Sequence, residues 1–334
     1  MRSLWARFIR KAAFKLQEVF HINSKYSLGY TPDRLLRQCI SLRADLYICH
    51  QELATVVGNQ LLQLGYRVAF DLEDWYSEDL LPRDRESRPI KLLKKAERGA
   101  LENGICYTTS EAMAKGIQAS YHAVVRPAVI YNSFSAAQLR QPVAPSGTLP
   151  RLYWFSQTIG PGRGLEFFIK AMSKSRFSWQ LNLRGNISPA YQRLLANNVT
   201  MKDRLIFLPM LSNHELMDDL GNYDLGLALE PTSPPNKNLT ISNKIFHYMS
   251  AGLPVIASNT AGQMEIARKN PKFTFVYDQD NQEGLVTILD NLGKKLKDNK
   301  LMAPRNEIIE TYRLHFEWET EAKKLTDIIG HALR

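Results

Sequence analysis

Residues 243–267 read NKIFHYMSAGLPVIASNTAGQMEIA, and the order of residue types in this stretch decides the fold. Its first part has helical spacing, with polar Ser242 and Asn243 at the start and Lys244 beside them. A tight Ala251-Gly252-Leu253-Pro254 turn follows, then a short buried strand, Val255 to Ala257, then a second turn at Ala261-Gly262. A helix start with free backbone N–H groups, a hydroxyl and a lysine suits a phosphate or diphosphate.

Outward from this stretch the chain alternates strand and helix. Apolar runs at 45–50, 67–72, 104–108, 129–131, 151–156, 180–184, 204–208, 224–229, 254–257 and 273–277 read as strands. Helical patterns separate them, among them 51–64, 88–102 and one that starts at Glu111 behind Ser110 as N-cap. A last helix is expected over 305–332, with Phe316 and Trp318. Such alternation implies parallel sheets covered on both faces. The stretch QPVAPSGTLP, 141–150, is rich in proline and glycine and uncharged, as a linker is. It divides 334 residues, long for one core, into domains of 1–145 and 146–334.

A second phosphate signal lies in the second half. The strand Leu152 to Ser156 runs into Gln157-Thr158-Ile159-Gly160-Pro161-Gly162-Arg163-Gly164, with a helix from Leu165. Gly160 and Gly162 let the backbone approach a ligand, and Arg163 offers a planar fork for two phosphate oxygens.

The string from Lys244 onward resembles the donor-binding region of glycosyltransferases of the GT-B fold. It is similar in particular to the large retaining family 4, glycosyl transferases group 1, where it commonly reads K-[IL]-F-E-Y-[ML]-x-A-G-[LK]-P-V-I-A-S. The resemblance implies an α/β chain of two Rossmann-like domains, with parallel sheets facing a central cleft. It maps Arg163 and Lys244 onto the basic pair that holds the donor diphosphate. It makes the Pro231–Asn238 loop and Glu230 neighbours of the donor sugar, and includes Thr240, Ser242 and Asn243 in an N-L-T-[IV]-x-N-K-[IL]-F string. Two departures stand out: the family's glutamate pair is replaced here by Leu239 and His247. His247 either contacts a ribose hydroxyl or is a packed residue.

On the first domain, the ends of the strands DLYICH and RVAFDL supply His50 and Glu73-Asp74, the residues expected to meet the acceptor and the reacting centre. This domain looks short. Residues 1–40 hold no opening strand, only a basic helix at 3–20 and a polar stretch. The one Asp-x-Asp string, Asp278-Gln279-Asp280, reads as a solvated turn, so neither metal nor other cofactor is expected.

The net charge of +10 is uneven, since residues 1–40 carry eight lysines and arginines against Glu18 and Asp33. Leu4, Trp5, Phe8, Ile9, Ala12, Leu16, Val19 and Phe20 share one helical sector, bordered by Lys11 and Lys15, with Phe14 outside it. Such a helix either lies in an anionic membrane interface or packs its apolar side on the domain body. No nucleic-acid motif accompanies the charge. Cys39, Cys49 and Cys106 lack metal-ligand spacing and read as reduced thiols. No signal peptide or spanning segment is visible. The expectation is a cytoplasmic enzyme, peripheral on the inner face of the membrane, that moves a sugar from a nucleoside diphosphate sugar to a glycan or lipid-linked acceptor. The resemblance implies retention of configuration. The missing glutamate pair and short first domain keep open a non-catalytic subunit that partners an active transferase.

Overall fold

All ten stretches read as strands carry one. A computed structural model describes residues 2–138, 149–200, 203–298 and 305–334. Most of the expected linker, 141–148, lies outside them. The first sheet joins β1 (Tyr47–His50), β2 (Val68–Leu72), β3 (Ile105–Thr108) and β4 (Ala128–Val129) in that order, all parallel. The second sheet holds β5 (Arg151–Ile159), β6 (Gln180–Ile187), β7 (Arg204–Leu208), β8 (Leu225–Ala228), β9 (Val255–Ser258) and β10 (Thr274–Tyr277). It is parallel throughout, in the order β10-β9-β8-β5-β6-β7.

Counted from β5, the second order is that of the doubly wound dinucleotide fold, which runs outward in both directions from a central pair. Crossovers to opposite sides diverge between β5 and β8 and leave a crevice at their carboxyl ends. The first sheet has no such reversal among the described residues.

Each sheet buries its own core. Phe70 and Leu72 of β2 pack with Val57 and Leu61 of the helix Glu52–Gln63 and with Met113 and Ile117 of the helix Glu111–Tyr121. Ser110 caps the latter, accepting from Met113 N. In the second sheet Trp154, Leu183, Leu227 and Ile256 meet Phe168 and Met172 of the helix Leu165–Lys174, and Leu285 and Leu289 of the helix Gln282–Lys297. By their contacts the residues form two compact units. The first is Met1–Tyr131 with Ser233–Thr240 and Ala322–Arg334; the second is Asn132–Thr232 with Ile241–Glu321.

Two local expectations are corrected, and one alternative left open by the sequence is narrowed. Ala261-Gly262 is no turn but the start of a helix, Ala261–Lys269, capped by Thr260. The last helix is two, Arg305–Phe316 and Trp318–Leu333, because the Trp318 N–H donates to the Phe134 carbonyl rather than to its own preceding turn. The N-terminal helix Arg2–Phe20 does not turn its apolar sector onto its unit: Ala13 and Gln17 are its buried residues, while Trp5, Phe8 and Val19 are exposed.

Candidate functional site

The decisive stretch forms a helix, Asn243–Ser250, in which Ile245 to Ser250 are all buried. Tyr248 Oη anchors it, donating to the carbonyls of Tyr153 (3.1 Å) and Leu227 (3.2 Å). At the far end, Leu253 N bonds the Tyr248 carbonyl and Gly252 N that of Met249, the two bonds of a Schellman cap. That cap needs a left-handed residue, and Gly252 has φ +70°. The near end is different. Asn243 is exposed, and Ser242 stands at the N-cap with its carbonyl accepting from Ile245 N but its side chain making no capping bond. The first N–H groups therefore have no side-chain cap.

Ser242 Oγ is drawn to Glu230 instead, at 3.1 Å. Glu230 follows β8 at the strand reversal and also pairs with Lys244 Nζ at 3.1 Å. Both side chains are largely shielded, 10% and 13% exposed, so this ion pair is stronger than a surface one. Its frame is rigid: Ser258 Oγ donates to the Glu230 carbonyl (2.6 Å) and accepts from Glu230 N, and Gln279 Nε2 reaches the same carbonyl at 2.8 Å. Lys244 Nζ also lies 5.5 Å from the centre of the Trp154 ring. An ammonium has three donors, so the pair with Glu230 does not exhaust it.

The loop after β5 opens the crevice from its other strand. Gly162 and Gly164 have φ of +76° and +74°, which only glycine adopts without strain. Nothing lies within 4 Å of where side chains at Gly160 and Gly162 would begin. Arg163, between Gly162 and Gly164, has no hydrogen bond or ion pair among the described residues. A free guanidinium beside an uncovered backbone is suited to an anion.

His247 is 8% exposed. Its Nδ1 is 2.9 Å from the Asn243 carbonyl, which only accepts, so Nδ1 carries the proton. Nε2 then accepts; Asn213 Oδ1 stands 3.3 Å from it, and a half-turn of that amide presents its NH2 to the ring instead. Phe134 and Phe155 stack edge-on at 4.3 and 5.1 Å. Burial, with Lys244 adding a smaller push, lowers its pKa to about 4, so the ring is neutral near pH 7. Thr240 is grouped with the first unit, its hydroxyl bonded to the Asn236 carbonyl at 2.7 Å.

In the first unit the register pairs His50 with Asp71. His50 Nδ1 is 3.0 Å from Asp71 and Nε2 3.1 Å from Glu73, so the imidazole bridges two carboxylates. Burial pushes both carboxylates up; the His50 charge opposes this, and Asp74 and Asp71 add to it at Glu73. Asp71 was not singled out from the sequence, yet alternation marks it. Asp71 and Glu73 lie two apart, on one face, with Phe70 and Leu72 in the core on the other.

Asp74 is engaged elsewhere. Asn236, fully buried, donates from Nδ2 to Asp74 and Asp79, each at 2.7 Å, and accepts from Trp75 N at 2.8 Å. This clamp fixes the segment Ser233–Thr240 in the first unit. Asp278 accepts from Asn259 at 2.7 Å, and among the described residues no cluster of three or more His, Cys, Asp or Glu fits a metal ion.

Comparison with known proteins bears on the fold and on the second half of the chain. Residues 150–294 match the family described as Glycosyl transferases group 1. No curated protein sequence matches the chain. Solved structures do. Sucrose-phosphate synthase from Thermosynechococcus elongatus is 15% identical, with 90% of this chain and 77% of that one covered and a TM-score of 0.72. Anabaena HepE, in complex with UDP and glucose, is 18% identical, with 90% and 81% covered and a TM-score of 0.68. WaaG, a glycosyltransferase involved in lipopolysaccharide biosynthesis, is 16% identical, with 83% and 82% covered and a TM-score of 0.59. Residues 150–294 thus carry a glycosyl transferases group 1 domain, and the chain as a whole has the GT-B fold.

Proposed function

We propose that this protein transfers a sugar from a nucleoside diphosphate sugar to a hydroxyl of a glycan or lipid-linked acceptor, in cell-surface glycan or glycolipid synthesis at the membrane face. One observation carries the reading. An uncapped helix start with Lys244, and a glycine loop with an unpaired Arg163, both belong to the sheet whose strand order reverses. Backbone N–H groups and two cations meet the charge that grows on the departing diphosphate. The bond from C1 of the sugar to the phosphate oxygen breaks, a bond from C1 to the acceptor oxygen forms, and the acceptor proton passes to the leaving phosphate. That course retains configuration. Glu230, within reach of the same lysine, bonds sugar hydroxyls, and His50 with Glu73 orients the acceptor. UDP and glucose in the HepE complex support the donor class, and the role of WaaG in lipopolysaccharide synthesis supports the acceptor class.

A second reading, a non-catalytic partner subunit, is favoured by His247. Both of its nitrogens already have partners where the family has a ribose-binding glutamate. Thermal unfolding against a panel of nucleotides and nucleotide sugars separates the two. A ligand at 100 times its Kd adds about 2.7 kcal/mol. Stabilisation by one base class, lost in Arg163→Ala and Lys244→Ala, supports transfer; no stabilisation of well-folded protein at millimolar ligand favours the subunit.

A further inference from the structure

We infer that the first unit docks on anionic lipid surfaces through the helix Arg2–Phe20, apolar face toward the lipid, which deepens the membrane-face part of the function proposed above. The helix is seated by a small and a polar residue, Ala13 and Gln17. Leu4 (66% exposed), Trp5 (65%), Phe8 (61%) and Val19 (58%) point away from the unit, together with Leu16. With Ala12 they span about 120° at 100° per residue. Trp5 and Phe8 stack at 5.6 Å, so the outward face is continuous. Exposed apolar surface of this extent marks an interaction site.

Charge selects the partner. Lys15 stands just inside one edge of the apolar face, Lys11 on that edge and Arg7 beyond it, and none of the three has an ion pair among the described residues. A second copy packed symmetrically on this face sets like charges against each other. A layer of anionic headgroups over acyl chains meets both the cations and the apolar row. The rest of the unit has the same bias. Of 19 exposed large apolar residues described, 16 belong to it, so the second unit has little apolar surface to offer. It also holds 23 lysines and arginines against 15 aspartates and glutamates, eight of the ten surplus charges.

The test is co-sedimentation of the full chain with vesicles of phosphatidylcholine alone and of phosphatidylcholine mixed with phosphatidylglycerol. The expected result is binding to the mixed vesicles, weakened by salt, with a blue shift of Trp emission. Trp75, Trp154 and Trp179 are buried, so that shift reports Trp5 foremost, and Trp5→Phe removes most of it while keeping binding. Trp5→Ser with Phe8→Ser, and separately Lys11→Glu with Lys15→Glu, are each expected to weaken binding on the order of tenfold or more. Equal binding to both vesicle types, or indifference to both variants, overturns the inference. So does a stable dimer that Phe8→Ser dissociates and that ignores vesicles, since a second copy then covers the face. Nucleotide stabilisation is followed in the same samples: its absence with vesicle binding intact counts against the donor site and leaves docking standing.

Discussion

The two sheets end in opposite chemistry. Where the strand order reverses, the carboxyl ends of β5 and β8 lead to glycines, Arg163 and the Glu230–Lys244 pair. Where it does not, the end of β2 leads to Glu73, Asp74, Glu78 and Asp79. A reversal leaves a crevice in which a ligand can sit against free backbone N–H groups, beside Lys244 paired with Glu230 and an Arg163 that has no ion pair among the described residues. Without one, polar strand ends must find partners in the chain. Glu78 takes Arg85 and Lys94, Asp74 and Asp79 take Asn236, and the buried Glu97 accepts from Ser77 and Tyr121. Of the acidic cluster, Glu73 has a partly exposed side chain and, among the described residues, an ion pair with His50 alone. The same local pattern thus yields a crevice suited to an anion in one sheet and mostly a structural network in the other.

The sharpest way to break this comparison is to remove the cations of the reversing sheet. Lys244→Ala and Arg163→Ala are each expected to lower kcat/KM by about 10²- to 10³-fold, the usual effect of one lost transition-state donor. Thermal unfolding without ligand separates their second effects. Arg163→Ala leaves the melting temperature unchanged, because Arg163 has no hydrogen bond or ion pair among the described residues. Lys244→Ala lowers it, because Glu230 loses its cation while shielded from water. Equal melting losses in both variants mean that Arg163 is structural after all.

The network in the other sheet predicts the converse. Asn236→Ala strips two carboxylates and the Trp75 N–H of a buried partner, at a cost of about 3 kcal/mol. Nucleotide stabilisation, measured from the lowered baseline, stays as in wild type. Its loss would make the segment Ser233–Thr240 part of the donor site. Asn236 also shows what the sequence hid. Strands were legible because apolar runs bounded by turn residues have few alternatives, and the phosphate loop because glycine and arginine types define it. An asparagine in a proline-rich loop has no local signature; its partners lie some 160 positions away. The N-terminal helix was legible in another way: its pattern named the apolar face but left open which way that face turns.

His247 joins the two themes, since it bonds the first residue of the helix that carries Lys244 yet is buried like a structural group. Its folded pKa of about 4 is below the ordinary 6.5. Between these values the unfolded chain binds the proton and the native one does not. Its contribution is therefore complete above pH 6.5 and is lost as pH falls toward 4, at most about 3 kcal/mol. Asp71, Glu73 and Glu97, with raised pKa values, act in the opposite sense, so the difference between wild type and His247→Gln is the quantity to follow. Urea unfolding at pH 7 and pH 5 is expected to show a smaller loss in His247→Gln. Equal slopes mean the ring reaches water.

The smallest effect tests the acidic side. If the leaving phosphate takes the acceptor proton, Glu73 only orients His50 and the hydroxyl, and it need not be a base. Glu73→Gln keeps an acceptor for His50 Nε2 at the same length and removes the charge. About a tenfold fall in kcat is expected, with nucleotide affinity unchanged, because positioning without proton transfer contributes at the low end of catalytic terms. A fall of about 10³ or more, rescued toward high pH, would instead assign a true base to this sheet. The two sheets would then divide the chemistry, one stabilising the leaving group and the other activating the nucleophile. With the smaller fall, the chemistry belongs to the reversing sheet and the first unit contributes the address of the acceptor.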